Sequence, residues 1–288
     1  MSGEHGSPAA ALLRDAMRLQ EALQLSNREA RAEAERLLMH ALGIGRAQLA
    51  AHPEHAAAAA TDPAYRAMLT RRLSGEPIAY ILGHREFYGL ELEVSPAVLI
   101  PRADTELLVD LALERLPADA QGWVADLGTG SGCVAIAIAQ ARPRLRVIAC
   151  DASPDALRVA ARNAARHGAR NVSFVQGDWL RAIPDASVDM ILSNPPYVRA
   201  EDEHLPGLRH EPQVALVSGQ DGLQAWRAIV ADAPRCLVSG GWLLMEHGYD
   251  QDEACRALLK ACGFRDLFSA RDLSGQPRVT GGRAGPRG

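Results

Sequence analysis

Apolar residues between about positions 8 and 75 recur every three or four residues, which predicts helices and no strands in this segment. Ser26 and Glu29 stand before an apolar run, as in a capping box, and the helix that they start is predicted to end at Gly43. Another helix is predicted to begin at Pro63, because proline suits the first helical position. We therefore expect a small bundle of short helices.

The pattern changes at residue 78, where short apolar stretches surround two glycines. Such stretches are typical of β-strands, and three are predicted, at residues 80–82, 87–90 and 92–94. The segment 78–100 is therefore predicted to be a β-hairpin that links two domains.

From Thr105 onward, strand-like apolar runs alternate with helical patterns. Strands are predicted at residues 123–127, 146–150, 172–176, 188–193 and 241–246, and near positions 267 and 278. Helices are predicted to end near residue 141 and to cover residues 154–167, 222–233 and 251–261. This alternation predicts an α/β fold, in which helices cover both faces of a mostly parallel sheet.

These patterns divide the chain into a helical bundle at residues 1–77, a hairpin linker at 78–100 and an α/β domain at 101–288. The alanine-rich run at residues 56–60 is also predicted to be helical. A nucleotide-binding domain of Rossmann type does not need such a bundle, so the bundle is a candidate module for recognising a partner. The alternative, that it only caps the larger domain, stays open.

Composition excludes several classes of protein. Hydrophobic residues make up 48% of the 288 residues and charged residues 23%, as in an ordinary globular protein. The net charge of −4 is opposite to that of proteins that grip nucleic-acid phosphates. Five cysteines without CxxC spacing predict neither a disulfide framework nor a metal site. Since no signal peptide or membrane span is recognisable, we expect a cytoplasmic protein.

A glycine loop lies between the first strand and the first helix of the α/β domain, where nucleotide cofactors bind. The predicted cofactor-binding residues in it are Gly128, Thr129, Gly130, Ser131 and Gly132. Counted from Gly130, a loose dinucleotide pattern ending in Ala135 fits, so dinucleotide binding is not excluded by the loop alone. The three alternate glycines after Asp126 resemble instead the S-adenosylmethionine loop of Rossmann methyltransferases.

Polar residues follow the next two strands of the predicted sheet. Asp151 ends the second strand and is expected to bond both hydroxyls of a ribose, the alternative being an acid that merely flanks a helix. Asp178 and Trp179 follow the third strand. Asp178 is expected to reach an adenine amino group and Trp179 to pack on the adenine face, although plain core packing of Trp179 stays open.

The most specific motif is Asn194-Pro195-Pro196-Tyr197, directly after the fourth strand. Methyl transfer to a conjugated NH₂ group is difficult because the nitrogen lone pair is delocalised. Two acceptors aimed at that group, the Asn194 side-chain oxygen and the Pro195 carbonyl, favour a more tetrahedral nitrogen. Two prolines fix the turn and keep that carbonyl out of ladder pairing. Tyr197 is expected to form a flat wall against a planar substrate group.

Together these motifs resemble the glutamine methyltransferases that modify peptide chain release factors. In chain order, the matching segments are residues 80–89, 98–102, 126–132, 151, 177–179, 193–197, 211–212, 221–223, 246–248 and 278–279. The chain departs from the family pattern at Ala103-Asp104, where Pro-Glu is usual, and at Gly207-Leu208, where Asp-Val is usual.

The resemblance implies a Rossmann-like methyltransferase domain behind a helical N-terminal domain. It also implies S-adenosylmethionine as methyl donor and, as substrate, the glutamine of the Gly-Gly-Gln loop in class-I release factors. On this reading Asn194, Pro195 and Tyr197 are catalytic, Asn194 also binds the cofactor, and all four residues of the motif, Pro196 included, bind the substrate. Neither direct nucleic-acid binding nor membrane binding is expected.

Two alternatives remain. The Asn-Pro-Pro-Tyr motif is shared with enzymes that methylate adenine amino groups, but a basic recognition segment with aromatic residues is missing here. A module that binds translation factors without catalysis would not need intact Asp151 and Asn194. Glu246 and His247 are expected to be structural, because nothing in the sequence places them on the substrate.

Overall fold

The computed structural model describes residues 8–52 and 62–286, which form two compact units, Met1–Gly83 and His84–Gly288. The helices of the first unit are α1 (Pro8–Leu23), α2 (Asn27–Leu42), α3 (Arg46–Ala51), α4 (Pro63–Leu73) and α5 (Ile78–Leu82). Leu19, Leu37, Leu38 and Tyr65 are among the buried side chains of its apolar core. The predicted helical run at residues 56–60 lies outside the described residues.

The predicted helix starts of this unit are confirmed in atomic detail. Ser26 N donates to Glu29 Oε2 over 3.0 Å, and Glu29 N donates to Ser26 Oγ over 3.3 Å, which completes the capping box. Asp62 caps α4 by accepting hydrogen bonds from Ala64 N and Tyr65 N. These local bonds satisfy amide groups that a helix leaves unpaired at its first turn.

The strand predicted at residues 80–82 is wrong, because these residues belong to α5. Three adjacent apolar residues do not distinguish a strand from one buried helical turn. Pro77 at the start of the turn and Gly83 in the left-handed conformation at its end make it helical.

A hairpin is present within the predicted segment, but the strand predicted at residues 87–90 is wrong, because two of these residues form the turn. Strands β1 (His84–Phe87) and β2 (Leu90–Glu93) pair antiparallel, and Tyr88 and Gly89 form the turn between them. Both turn residues have positive φ, as a two-residue hairpin turn requires. Phe87, Leu90 and Leu92 are part of the core of the second unit, so the boundary between the two units lies at Gly83, within the segment predicted to be a linker.

The second unit also contains a seven-stranded sheet in the order β5-β4-β3-β6-β7-β9-β8. Its strands are β3 (Gly122–Leu127), β4 (Leu145–Asp151), β5 (Val172–Gln176), β6 (Val188–Ser193), β7 (Leu237–Glu246), β8 (Arg265–Arg271) and β9 (Pro277–Arg283). Neighbours are parallel from β5 to β7, whereas β9 pairs antiparallel with both β7 and β8. The predicted α/β class and mostly parallel sheet are therefore confirmed.

Helices cover both faces of this sheet. They are α6 (Glu106–Arg115), α7 (Cys133–Ala141), α8 (Pro154–Arg166), α9 (Gln224–Cys236) and α10 (Asp252–Ala261). Val124 packs in the core that contains α6 and α7, and its neighbour Ala125 packs in the core that contains α9. Successive strand residues point to opposite faces, so each face has its own apolar core.

The register of the parallel strands brings their carboxyl ends to one edge. Leu127 of β3 is paired with Cys150 of β4 and with Ser193 of β6, and Cys150 is paired with Val175 of β5. The chain leaves each of these strands at nearly the same level. The segments that follow them are therefore close together, where ligands of open α/β sheets bind.

Candidate active site

A cleft of about 420 Å³ opens at this edge, and most of the predicted site residues line it. Those in the lining are Gly128, Thr129, Gly130, Ser131, Asp151, Asp178, Trp179, Asn194 and Pro196. Gly132, Pro195 and Tyr197 are not part of the lining. Gly132 precedes α7 with a φ of 82°, and a Cβ there would lie 3.0 Å from Ile136 Cδ1, so this glycine serves close helix packing.

Three amides of the glycine loop donate hydrogen bonds inside the protein. Gly130 N donates to Asp151 Oδ2 over 2.9 Å, Thr129 N donates to the Cys150 carbonyl, and Gly132 N donates to the Thr129 carbonyl. A phosphate cradle needs such amides aimed at the ligand. The internal bonds of these three amides favour a ligand without a pyrophosphate.

The charge of the cleft supports the same conclusion. Asp126, Asp151, Asp155 and Asp178 line it, whereas its one lining arginine, Arg102, is paired with Glu211 over 2.5 Å. Surplus negative charge repels a pyrophosphate and attracts a cation. A sulfonium compound such as S-adenosylmethionine fits these residues.

Asp126 is a site residue for which the sequence analysis had no role. It is buried, and its Oδ2 accepts hydrogen bonds from Thr129 Oγ1 over 2.6 Å and from Ala135 N over 3.2 Å. Burial raises the pKa of its carboxyl group to about 6. Asp126 thereby ties the glycine loop to the first turn of α7.

Asp151 bonds the loop and the next helix at the same time. Its Oδ2 accepts from Gly130 N and its Oδ1 from Ser153 N, both over 2.9 Å. A carboxylate has about four acceptor positions, so Asp151 keeps positions for hydroxyl donors in the cleft. Asp151 lies at the end of β4 and lines the cleft, and its role towards a ribose stays a prediction.

Asp178 and Trp179 follow β5 at the rim of the cleft. The Trp179 ring covers Gly128, since its Cζ3 would lie 3.5 Å from a Cβ at that glycine. Trp179 also packs against the core on one face of the sheet and lines the cleft, so core packing is confirmed and packing on an adenine stays a prediction. Its φ of 49° is unfavourable for a bulky residue, which is typical of binding sites.

The Asn194 side chain is held by a second residue that the sequence analysis did not select. Asn194 Nδ2 donates to Thr105 Oγ1 over 3.0 Å, and Thr105 is buried in the turn before α6. Asn194 Oδ1 accepts no hydrogen bond from the described residues and is left for a donor in the cleft. The only sequence signal for Thr105 is its place beside the family motif at residues 98–102.

Tyr197 is not among the residues that line the cleft. Its hydroxyl donates to Glu246 Oε1 over 3.3 Å, and burial raises the pKa of the hydroxyl well above its usual value. Burial also raises the pKa of the Glu246 carboxyl group to about 7. His247 is bonded to the Gly248 carbonyl and to Thr280 Oγ1, and it does not line the cleft.

Glu211 joins two walls of the cleft. Its Oε2 accepts from Ile100 N over 3.1 Å, and its Oε1 accepts from Arg102 Nη2. The adjoining residues Pro101 and Pro212 both line the cleft. The motifs at residues 98–102 and 211–212 are therefore joined in the wall of the cleft, although more than a hundred residues separate them in the sequence.

Gly222 sets the position of the Asn-Pro-Pro-Tyr turn. A Cβ at Gly222 would overlap the Tyr197 carbonyl oxygen and lie 2.5 Å from Gln251 Nε2, which donates to that same oxygen. Gly222 also has a φ of 77°, which side-chain-bearing residues rarely adopt. The turn can occupy its place only because residue 222 has no side chain.

We expect Gly222→Ala to lower the free energy of unfolding by about 2–5 kcal/mol, since strain and overlap add. Thermal unfolding measures this loss, and the methylation rate should fall with it because the turn is displaced. Gly263→Ala is the matched control, because Gly263 has a φ of 81° and open space around it. It should cost only about 1–2 kcal/mol. Equal losses in the two variants would contradict the overlap at Gly222.

The doubly covered parallel sheet, the glycine loop without a phosphate cradle and the acidic cleft define an S-adenosylmethionine-dependent methyltransferase. The family model of the methyltransferase small domain matches residues 104–208, and that of the PrmC N-terminal domain matches residues 12–83. A methyltransferase structure from Pyrococcus furiosus has the same fold, with a TM-score of 0.53, 15% identity and coverage of 75% of this chain and 97% of that one.

Curated relatives are more specific. The release factor glutamine methyltransferase of Coxiella burnetii is 47% identical over 255 residues, which cover 88% of this chain and 92% of that protein. The one from Xylella fastidiosa is 49% identical over 255 residues, with coverage of 88% and 93%. The chain belongs to the release factor glutamine methyltransferase family.

Proposed function

We propose that this protein transfers a methyl group from S-adenosylmethionine to the side-chain amide nitrogen of the glutamine in the Gly-Gly-Gln motif of class-I release factors. The observation that carries the proposal is the Asn194 side chain at the cofactor cleft, with Nδ2 bonded to Thr105 and Oδ1 left for a donor. Membership of the family supports the choice of glutamine over adenine as the source of the NH₂ group.

S-adenosylmethionine, when bound, supplies a methyl group on a sulfonium sulfur, and that sulfur keeps the electron pair of the broken bond. The residues of this chain mainly position the acceptor. Asn194 Oδ1 and the Pro195 carbonyl accept the two N–H bonds of the glutamine amide, which favours a tetrahedral nitrogen. The nitrogen loses its extra proton to solvent after the new bond has formed. Positioning supplies most of the rate increase, so no buried general base is required.

The acidic cleft contributes to cofactor binding. Asp151, at the carboxyl end of β4, would accept hydrogen bonds from the two ribose hydroxyls, and Asp178 and Trp179, which also line the cleft, would hold the adenine. The glycine loop allows the cofactor to approach the main chain closely. Asp126 holds the loop in place by accepting hydrogen bonds from Thr129 and Ala135.

The helical first unit recognises the release factor in this proposal. It has its own apolar core, and its helices α1 to α5 supply no strand of the sheet. The family model that matches it is separate from the one that matches the methyltransferase domain. Recognition of a folded protein needs more surface than one glutamine offers, and the first unit provides such a surface.

The protein is proposed to act in the cytoplasm and without direct binding of nucleic acid. The net charge of −4 and the acidic cleft oppose binding of a phosphate backbone. Among the described residues no helix has the length and apolar character needed to cross a membrane.

The proposal is tested by incubating the protein with labelled cofactor and either purified release factor or DNA. Mass spectrometry should locate one methyl group on the glutamine of the Gly-Gly-Gln motif, and DNA should stay unlabelled. Label on DNA alone would overturn the substrate assignment. A protein that binds cofactor but labels neither would be a binding module without catalysis.

Asp151→Ala should weaken binding of S-adenosylmethionine by about 1–3 kcal/mol, which corresponds to roughly fivefold to hundredfold in Kd. The reason is the loss of the ribose acceptors together with the support of Gly130. Isothermal titration measures the change. Asp119→Ala removes the same charge from an exposed position outside the cleft lining and serves as the control. Equal affinities of the two variants would make Asp151 a helix-flanking residue only.

A further inference from the structure

Asn163 is a buried polar residue to which the site described above gives no role. It lies on α8, its side chain is fully buried, and its hydrogen bonds go to main-chain groups. Asn163 Oδ1 accepts from Glu93 N over 2.7 Å, and Nδ2 donates to the Glu93 carbonyl over 3.0 Å and to the Ser131 carbonyl over 2.9 Å. Glu93 ends the hairpin strand β2, and Ser131 belongs to the glycine loop. One amide group therefore joins the helix, the hairpin and the loop.

The main chain around Asn163 fixes the orientation of its amide group. A main-chain N–H can only donate a hydrogen bond, and a carbonyl can only accept one. The amide oxygen therefore faces Glu93 N, and the NH₂ group faces the carbonyls of Glu93 and Ser131. A flipped amide would turn its oxygen towards two carbonyls, and no water could separate them because the side chain is fully buried. The bonds of Asn163 thus depend on no rotatable hydroxyl and on no ionised group.

Helix α8 contacts the glycine loop at two successive residues. Asn163 bonds Ser131, while Ala160, one turn earlier on the same face of the helix, lies against Gly132. A Cβ at Gly132 would lie 3.1 Å from Ala160 Cβ, so the loop is already close to the helix at this point. The close packing opposes movement of the loop towards α8, and the bond from Asn163 opposes movement away from it.

The loop needs such a restraint because its own residues restrict it little. Ser131 stands between Gly130 and Gly132, whose φ angles are 55° and 82°. Glycine adopts many backbone conformations, so local sequence does not give this loop a single shape. The Ser131 carbonyl and Gly132 N share one planar peptide unit, and a bond that holds the carbonyl therefore sets the direction of both groups. Asn163 supplies that bond from outside the loop.

The residue that Asn163 restrains belongs to the cofactor cleft, whereas Asn163 itself does not line it. Ser131 is 2% exposed, and its hydroxyl oxygen has no well-aligned hydrogen-bond partner among the described residues. Such a hydroxyl group is available to a ligand in the cleft if the backbone of Ser131 is held in place. A change at Asn163 should therefore reach the cofactor through the loop.

We propose that Asn163 is a positioning residue, which holds the Ser131–Gly132 peptide of the glycine loop in the shape that binds S-adenosylmethionine. The hairpin is the support in this arrangement, because Asn163 also bonds both main-chain groups of Glu93. Asn163 neither touches the cofactor nor takes part in methyl transfer. The inference depends on the cofactor of the family and not on the proposed substrate.

The first test measures the affinity for S-adenosylmethionine by isothermal titration of Asn163→Ala and Asn163→Asp. Alanine removes every bond of the amide and should raise the Kd by about fivefold to fiftyfold, the effect of one or two buried hydrogen bonds. Aspartate keeps the acceptor for Glu93 N but turns an oxygen towards the Ser131 and Glu93 carbonyls, so its loss should be at least as large. A Kd within about twofold of wild type in either variant would overturn the proposal.

Two controls separate positioning from general damage. Asn171→Ala loses the same kind of bond, from Nδ2 to main-chain carbonyls such as that of Leu145, outside the cleft lining. Arg162→Gln breaks the ion pair between α8 and the Glu93 carboxylate and leaves the bond to Ser131 in place. Both should keep the Kd within about twofold of wild type, even where thermal stability falls. If either weakened binding as much as Asn163→Ala, affinity would follow stability or hairpin attachment, and the proposal would be overturned.

Methylation kinetics locate the effect in the reaction. For Asn163→Ala the KM for S-adenosylmethionine should rise in step with the Kd, while kcat at saturating cofactor should fall by less than about threefold. A lower kcat with an unchanged KM would place Asn163 in the transfer step and overturn the proposal. If the wild-type protein does not methylate release factor, the proposed function fails, and the titrations still decide the role of Asn163.

Nuclear magnetic resonance of the wild-type protein tests the proposal without any variant that could fail to fold. The side-chain NH₂ signals of Asn163 should exchange slowly with water, because the group is buried and bonded to two carbonyls. They should also shift when S-adenosylmethionine is added, since the Ser131 carbonyl lies in the loop that binds it. The NH₂ signals of Asn171 should not shift. Asn163 signals that stay unchanged at saturating cofactor would overturn the proposal.

Discussion

Replacing Asn194 with alanine should lower the rate of methyl transfer by roughly 100-fold or more, by analogy with the loss of one oxyanion-hole donor. The amide nitrogen of glutamine is a poor nucleophile because its lone pair is shared with the carbonyl group. The Asn194 oxygen favours the tetrahedral nitrogen, so its loss is felt most in the transition state. The turnover rate should therefore fall by more than the KM for the release factor rises.

The measurement is single-turnover methylation of purified release factor, with mass spectrometry of its Gly-Gly-Gln peptide. Asn171→Ala is the control for a lost asparagine, since Asn171 Nδ2 donates to main-chain carbonyls such as that of Leu145 and does not line the cleft. It should reduce thermal stability while the folded enzyme keeps its rate. An Asn194→Ala enzyme with a nearly normal rate would contradict the mechanism.

Asn194→Asp adds a test of charge to the test of geometry. The aspartate keeps an acceptor at the cleft, but its negative charge faces the site of the sulfonium. It also offers Thr105 an oxygen where Asn194 offers an NH₂ group. We expect a slow enzyme with altered cofactor affinity, whereas alanine should leave cofactor affinity closer to that of wild type.

A chain that begins at His84 should bind S-adenosylmethionine with an affinity within about threefold of the full chain and should methylate intact release factor at least about 100-fold less efficiently. The second unit has two apolar cores of its own and contains every residue that lines the cleft, so we expect it to fold and bind cofactor. What it lacks is the surface proposed to hold the protein substrate.

The loss should appear mainly in KM, because contacts remote from the reacting amide bind ground state and transition state alike. A short peptide with the Gly-Gly-Gln sequence makes few such contacts, so the two chains should methylate it with similar efficiency. This peptide is the control for an intact active site. Full activity of the shortened chain on intact release factor would reduce the first unit to a structural role.

Strands β3 to β6 could be predicted from the sequence to within one residue, whereas β7 begins four residues earlier than predicted and β8 and β9 were placed only near positions 267 and 278. Strands β5 and β6 have the predicted ends, because short apolar runs between polar turns leave little choice of boundary. The helix starts at Ser26 and Ser153 were equally clear, since each rests on a bond to a residue three positions away. The strand predicted at residues 80–82 failed because three apolar residues carry no period.

Part of the candidate site could also be predicted from local sequence patterns. Asp151 is the last residue of an apolar strand and Asn194 directly follows another, and the carboxyl ends of parallel strands share one edge. The sequence analysis assigned no functional role to Thr105 or Asp126. Thr105 lies in a turn before a helix and Asp126 lies within a strand, and neither position marks a residue as functional. Their importance lies in what they touch.

By itself, the sequence of this protein determined its α/β class, the glycine loop, the order of the site residues along the chain and the chemistry available to Asn194. Those features depend on periodicity and on neighbours within a few residues. Only the tertiary structure decided the orientation of the Asn194 amide and the pairing of Glu211 with Arg102. Each of these joins residues about ninety or more positions apart. A sequence pattern does not record such contacts, because they form when the sheet and its covering segments pack together.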